Sequence, residues 1–344
     1  MILTLASILC AGVPMFGFLA AIWWLDRYDR EPVWLLAWVF AWGAVGAVVV
    51  ALIGSMIGHV LLAGVALTVG GFTSIDPTLF RQVTGPVLLA PLAEEPAKAL
   101  ILLVVISTRH FDNMTDGFVY GAAAGLGFGM TENFIHFASI TSGLPTWGQT
   151  VVVRTFYTAV MHATATATVG AALGLTRFRS GAALMLGGGG GLIVAMGIHG
   201  VWNGLITLSD VTGGDGLYTL DLLLLPLQVA TVFVIFEACL IEESRTIQRE
   251  LREEAEAGRL PHDHPPILAS WLRRLDPRWV PPGVDQATYV RLATDLAMRK
   301  KQARQLGDDA PHFYVSEVER LRERLAQLLT ASGPEQPDPA GRTT

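Results

Sequence analysis

Gly85-Pro-Val-Leu-Leu-Ala90-Pro-Leu-Ala-Glu94-Glu95-Pro96-Ala-Lys98-Ala-Leu100-Ile-Leu-Leu-Val-Val105-Ile106 is a stretch built for lipid, yet it carries two adjacent carboxylates and a lysine. A charged side chain at the bilayer centre costs roughly 2.5–3.5 kcal/mol on insertion scales. Three in one span need a reason, and ionisable groups inside a membrane mark a functional site by default. Pro96 adds a second break with the ordinary. A proline inside a helix leaves the carbonyl four residues earlier, that of Leu92, without its donor. In a membrane such backbone is tolerated where protein or water meets it. The stretch therefore predicts a spanning helix beside a hydrated pocket.

The rest of the chain agrees with that setting. Of its 344 residues, 51% are hydrophobic and 16% charged, and the mean hydropathy is +0.46. Those values fit a polytopic membrane protein. Charge is segregated: only eight of the 24 Lys and Arg residues precede residue 241. The net charge of −6 gives no reason to expect a nucleic-acid partner. Cys10 and Cys239 both lie in apolar segments and make no disulfide framework. The first apolar run has no basic residue before it, so it reads as a retained span and not as a cleavable signal.

A span needs about 20 mostly apolar residues. Seven are expected, near 2–24, 33–55, 86–106, 117–138, 152–174, 181–205 and 217–240. A further apolar stretch at 56–70 extends the second span, re-enters, or forms an eighth. Arg27 and Arg30, Arg109, and Arg177 and Arg179 fall in alternate loops, and the Arg-rich tail follows. With seven spans and the N-terminus outside, these all face the cytoplasm, as the positive-inside rule requires. The expected architecture is an all-α, polytopic helical bundle, residues 1–240, in the plasma membrane. A soluble, mainly helical cytoplasmic tail follows at 241–331, with helices over 285–306 and 311–329. The Pro-rich end, 332–344, reads as disordered.

Four spans repeat one pattern, polar residues at i and i+4 on one helical face. The pairs are Glu94 with Lys98, Glu132 with His136, His162 with Thr166, and His199 with Asn203. Each has a bland reading: a structural ion pair, or an interhelical hydrogen bond. Lipid satisfies none of them, so all must turn inward. Four such faces bring carboxylates and imidazoles together, the material of a general-base or metal-water hydrolase. Two small-residue clusters, Gly121 to Gly129 and the unbroken Gly187 to Gly191, suit close helix approach.

These residues together resemble the PrsW family of intramembrane proteases. The matching pieces are Asp26-Arg-Tyr-Asp-Arg-Glu31-Pro32, then Glu94-Glu95-Pro-Ala-Lys98. Asp116-Gly-Phe-Val-Tyr120-Gly121 follows, running into Gly127-Phe-Gly-Met-Thr-Glu132-Asn133, and then His162-Ala and His199-Gly-Val-Trp-Asn203. They span about residues 20–205 in the expected order. The family is similar, at a distance, to the CAAX prenyl proteases and bacterial Abi-type membrane proteins. The resemblance implies peptide-bond hydrolysis in or beside the bilayer, with a membrane-anchored protein such as an anti-sigma factor as substrate. His136 departs from the pattern, which has an aromatic residue there; it adds a ligand or only a hydrogen bond.

The catalytic candidates are Glu94, Glu95, Lys98, Glu132, His162, His199 and Asn203. Glu94 or Glu95 would act as general base, and Lys98 would balance two like charges. Asn203 would donate to the developing oxyanion. His162, His199 and Glu132 are the candidate metal ligands, with zinc the metal that suits them. There is no HExxH helix, and a metal-free glutamate mechanism uses the same residues. Two other classes compete. Buried charges also build ion- or proton-coupled transporters, although no internal repeat is visible. A non-catalytic membrane scaffold would leave the charges unexplained.

Overall fold

The computed structural model describes residues 2–213, 215–307 and 312–330. Every regular element among them is helical. The chain divides into two compact units. The first takes the chain up to Asp26 and Arg30–Cys239; the second takes Arg27–Asp29 and the chain from Leu240 onward.

In the first unit, α1 is Ile2–Leu25 and α2 is Val33–Phe72. The stretch 56–70 thus continues the second helix. At 40 residues, α2 is roughly 60 Å long, twice a hydrocarbon core of about 30 Å. A short α3, Pro77–Thr84, starts where Asp76 accepts from the amides of Thr78 and Leu79 at 2.7 and 2.9 Å. After a π-turn, Gly85–Leu89, comes α4, Ala90–Val105, which continues through Pro96. Next are α5, Met114–Ser139, α6, Leu144–Thr176, and α7, Gly181–Thr212. The last helix of this unit, α8, is Asp215–Glu256; from Leu240 it belongs to the second unit.

Among the described residues, α1, α2, α6 and α7 are long and apolar enough to cross a membrane. The other three expected spans fall on α4, α5 and the first part of α8. The burial pattern of the unit is inverted. Trp38, Met56, Leu67, Leu88, Leu103 and Ile193 are exposed, whereas Glu95, Lys98, His162, Thr166 and His199 are buried. Apolar side chains outside and ionisable ones inside is the arrangement a lipid solvent selects.

The centre of the unit is α5, in which every residue from Thr115 to Gly129 is buried. Its glycines explain how. A Cβ at Gly121 would meet the carbonyl of Thr166, and one at Gly125 would meet the carbonyl of His162. The α5 and α6 backbones therefore touch along a glycine face, the small-residue contact that membrane helices use. On the opposite side, a Cβ at Gly127 would fall on the carbonyl of Phe40. This packing fixes His162 in depth and rotation against the middle of α5.

In the second unit, α8 from Leu240 packs with α9, His264–Leu268, α10, Gln286–Leu306, and α11, His312–Thr330. Asp285 caps α10 by accepting from the Thr288 amide at 2.9 Å. The core holds Ile247, Leu251, Leu268, Tyr289, Leu296, Leu321 and Leu325. The helices expected over 285–306 and 311–329 thus pack against the continuation of α8. His264 lies in this core with its Nδ1 2.7 Å from the Tyr289 hydroxyl. The expected disorder over 332–344 falls outside the described residues, as does residue 311, where the second tail helix is expected to start.

Candidate active site

One turn of α4 carries Glu94, Glu95 and Lys98. Lys98 Nζ donates to Glu95 Oε1 at 2.6 Å and to His162 Nδ1 at 2.9 Å. It lies 3.9 Å from Glu94 Oε2 and 4.5 Å from the centre of the Phe128 ring. A fully buried ammonium must be paired, and here three kinds of partner surround it. His199, on α7, reaches the same carboxylate: its Nδ1 is 2.7 Å from Glu95 Oε1. A carboxylate only accepts, so Nδ1 carries the proton and the Nε2 lone pair is left free. That Nε2 faces Glu94 Oε2 at 3.9 Å. Thr166 approaches Glu95 Oε2 at 3.5 Å.

His162 is held at both ring nitrogens. Nδ1 accepts from Lys98, so Nε2 carries the proton and donates to Glu132 Oε2 at 2.6 Å. Glu132 Oε1 is bound by Arg154 Nη2 at 2.7 Å, and His136 Nε2 lies 3.5 Å from it. Arg154 Nε also donates to Asn133 Oδ1 at 3.2 Å. Arg154, Glu132, His162, Lys98, Glu95 and His199 therefore form one continuous chain of polar contacts across four helices. The rings of His162 and His199 meet edge to face, 5.0 Å between centroids.

Three π-turns position these groups, and each has a carbonyl taken by a side chain from another helix. In the first, Trp42–Ala47, the Ala44 carbonyl accepts from Thr131 at 2.7 Å. In Gly85–Leu89 the Pro86 carbonyl accepts from Asn203 Nδ2 at 2.9 Å. In Arg154–Thr158 the Arg154 carbonyl accepts from Asn133 Nδ2 at 3.3 Å. The reason at Pro86 is covalent. A π-turn passes that carbonyl to residue 91, and Pro91 has no N–H to give. Each of the last two turns comes just before site residues, Glu94 and His162.

The structure brings Glu94, Glu95, Lys98, Glu132, His162 and His199 into one cluster. Asn203 is not brought in: its amide is spent on Pro86. Arg154 is not among the residues that the helical spacing singles out. Its signal was its place inside the expected fifth span, where an arginine needs a partner. A separate buried network joins other motif residues at the start of α5. There the Tyr120 hydroxyl donates to Glu31, and Asp116 closes a capping box with Asn113.

Glu94, His162 and His199 each place one ligand atom within 4.8 Å of the others'. Two imidazoles and a carboxylate match the three protein ligands of catalytic zinc sites. Glu94 Oε2 is buried with no hydrogen-bond partner, and Glu95 on His199 Nδ1 is the outer partner that orients a metal-binding imidazole. The residues present thus fit a metal. His162 offers a nitrogen only when one of its two hydrogen bonds is given up. Glu132, expected among the ligands, sits instead on the Nε2 side of His162 beside Arg154.

A protein-family model described as PrsW family intramembrane metalloprotease matches residues 31–239. The chain belongs to that family. It is therefore an enzyme, a membrane peptidase, and the PrsW match covers every residue of the cluster. No curated protein and no solved structure matches the chain.

Proposed function

We propose that this PrsW-family chain hydrolyses a peptide bond of a membrane-anchored regulatory protein, of the anti-sigma-factor kind, and that the buried cluster does the work. The reading is carried by one observation. Glu94 Oε2 has no hydrogen-bond partner and stands 3.9 Å from both the Nε2 of His199 and Lys98 Nζ, whereas the short contacts of Lys98 and of His199 Nδ1 go to Glu95.

Glu94, His162 and His199 would hold the metal, zinc by its donor set. When bound, it lowers the pKa of a water and polarises the scissile carbonyl. Glu95 has its Oε1 taken by Lys98 and His199, so its role is to fix the tautomer and direction of His199. Glu94 would also be the carboxylate placed to accept the proton of the attacking water. Lys98 neutralises the pair and holds His162 Nδ1. Glu132, clamped by Arg154, fixes the other side of His162. Asn203 positions the glutamate turn through Pro86. The distribution of basic loops supports seven spans with the tail in the cytoplasm. Reporters fused after residue 245 and near residue 213 should read cytoplasm and outside respectively.

The test is cleavage of a single-span reporter in membranes at matched expression, together with metal analysis of purified protein. Chelation should stop cleavage, and one divalent metal should restore it. Glu94→Gln and Glu95→Gln both cutting at the wild-type rate would end the assignment of the cluster as the active site.

A further inference from the structure

We propose that residues 271–275 of the second unit form a membrane-interface anchor that seats on the phospholipid surface. The segment reads Trp271-Leu-Arg-Arg-Leu275, and its two leucines are exposed, Leu272 by 70% and Leu275 by 60%. The loop beneath them is well made. Arg274 is buried, donates to the Arg27 carbonyl and stacks over Tyr28 at 4.6 Å. Arg27 in turn lies over the Trp271 ring at 5.3 Å. A loop held this firmly does not present two leucines outward by accident of disorder.

What covers them follows from where the chain ties the loop. Just before the segment, the Ala269 carbonyl accepts from the Tyr28 hydroxyl at 3.0 Å and from Ser244 Oγ at 2.7 Å. Tyr28 is three residues past Leu25, the end of a helix apolar enough to span, so it lies within about 11 Å of that end. Ser244 is four residues past the end of the apolar stretch of α8. Trp23 and Trp24 close the first helix, the aromatic pair that marks a membrane boundary. The interfacial layer on each side of a bilayer is about 5–8 Å thick, and a loop tied to both Tyr28 and Ser244 is kept beside it by chain length alone. Exposed Arg273 lies between the two leucines and complements anionic headgroups. Leucine, tryptophan and arginine together are the composition of segments that lie in an interface.

The full-length chain in lipid nanodiscs tests this. Cys239 is buried and stays; Cys10→Ser clears the background, checked by reporter cleavage. Leu272→Cys, Leu275→Cys and, as an aqueous reference, Arg252→Cys each carry an environment-sensitive fluorophore. All three positions are exposed, so labelling leaves the fold intact. At 272 and 275 the dye should be quenched by doxyl-labelled lipid and shielded several-fold from iodide, relative to 252. Quenching should be greater when phosphatidylglycerol is present. Iodide reaching 272 as it reaches 252 would put the segment in water and overturn the proposal. Shielding from both quenchers would also overturn it, because a protein, such as a second copy of this chain, would then cover the leucines. A doxyl signal indifferent to phosphatidylglycerol would remove Arg273 from the anchor.

Discussion

Glu94 and Glu254 are both glutamates packed beside a lysine, and their surroundings differ at every atom. Glu254, in the second unit, takes Lys300 Nζ at 2.6 Å, Arg322 Nη2 at 2.7 Å and Arg259 Nη1 at 2.9 Å. Burial works to raise its pKa, but those three cations outweigh it and hold the carboxyl at about 2. Glu94 has no such company. Its nearest bases, Lys98 and His199, both stand off at 3.9 Å, and its neighbour Glu95 takes their short contacts. In a closed network of this kind each charge compensates another, and removing one strands the rest. A carboxylate left without a partner in a buried site costs energy to keep, and it persists where a ligand, a proton or a reacting water completes it.

Substituting the same residue type in both places should split activity from stability. Glu94→Gln keeps the shape and removes the proposed base and ligand. Reporter cleavage should fall by ~10²–10⁴-fold, the usual loss for a general base, and bound metal should fall with it. The first unit should keep its thermal stability. His199→Ala should match that loss of cleavage. Glu254→Gln should do the reverse. It leaves three cations short of a partner, and breaking a buried pair costs about 3–5 kcal/mol; because Arg259 is half exposed, the low end applies. Hydrogen exchange over α10 and α11 should accelerate accordingly, and cleavage per folded molecule should hold. A cleavage loss from Glu254→Gln equal to that from Glu94→Gln would erase the distinction.

Arg154 offers a sharper cut inside the first unit. It touches no ligand atom and acts through Glu132 on His162. Arg154→Ala should lower cleavage by about tenfold, within the 10–100-fold range for residues that orient a metal ligand. Metal affinity, read by competition with a chelating dye, should drop in parallel. Arg154→Lys should restore part of both, since a lysine can still neutralise Glu132 but cannot bridge it to Asn133. Full metal affinity with reduced cleavage would place Arg154 in substrate handling and not behind His162.

Why Arg154 escaped sequence reading, and Asn203 was given a different part, has a physical basis. Periodicity at i and i+4 marks which residues share a face, so Glu94 with Lys98 and His162 with Thr166 could be read directly. It does not say which atom of a neighbouring helix meets them. Asn203 shares a face with His199 and was expected to donate to substrate. Its partner, the Pro86 carbonyl, is free because Pro91 follows five residues later, and that matters only once a π-turn is known to form there. π-turns leave no periodic trace in a sequence. The second helix shows a similar limit. Composition made 33–55 and 56–70 both apolar, and only the continuous hydrogen bonding of α2 shows them to be one helix.

The smallest effect concerns two histidines two residues apart. His262 is exposed, whereas His264 is buried among Tyr289 and Trp279, with ring centroids 5.5 and 5.1 Å away. Burial lowers the His264 pKa below its ordinary value near 6.5. A histidine with a depressed folded-state pKa binds protons more readily when unfolded. Its contribution to stability is therefore whole above about pH 6.5 and is lost as pH falls toward the folded value. Local opening of α10 around Tyr289, followed by hydrogen exchange after correction for intrinsic rates, should increase from pH 7 to pH 5. His264→Gln cannot charge, so it should flatten that dependence even if it lowers stability at every pH. His262→Ala should leave both the stability and its pH dependence unchanged. If the wild-type slope persists in His264→Gln, the proton is taken up elsewhere in the second unit. The carboxylates held low by cations, Glu254 first among them, lose their contribution as pH falls from the ordinary value near 4.5 toward about 2, below the interval from 7 to 5.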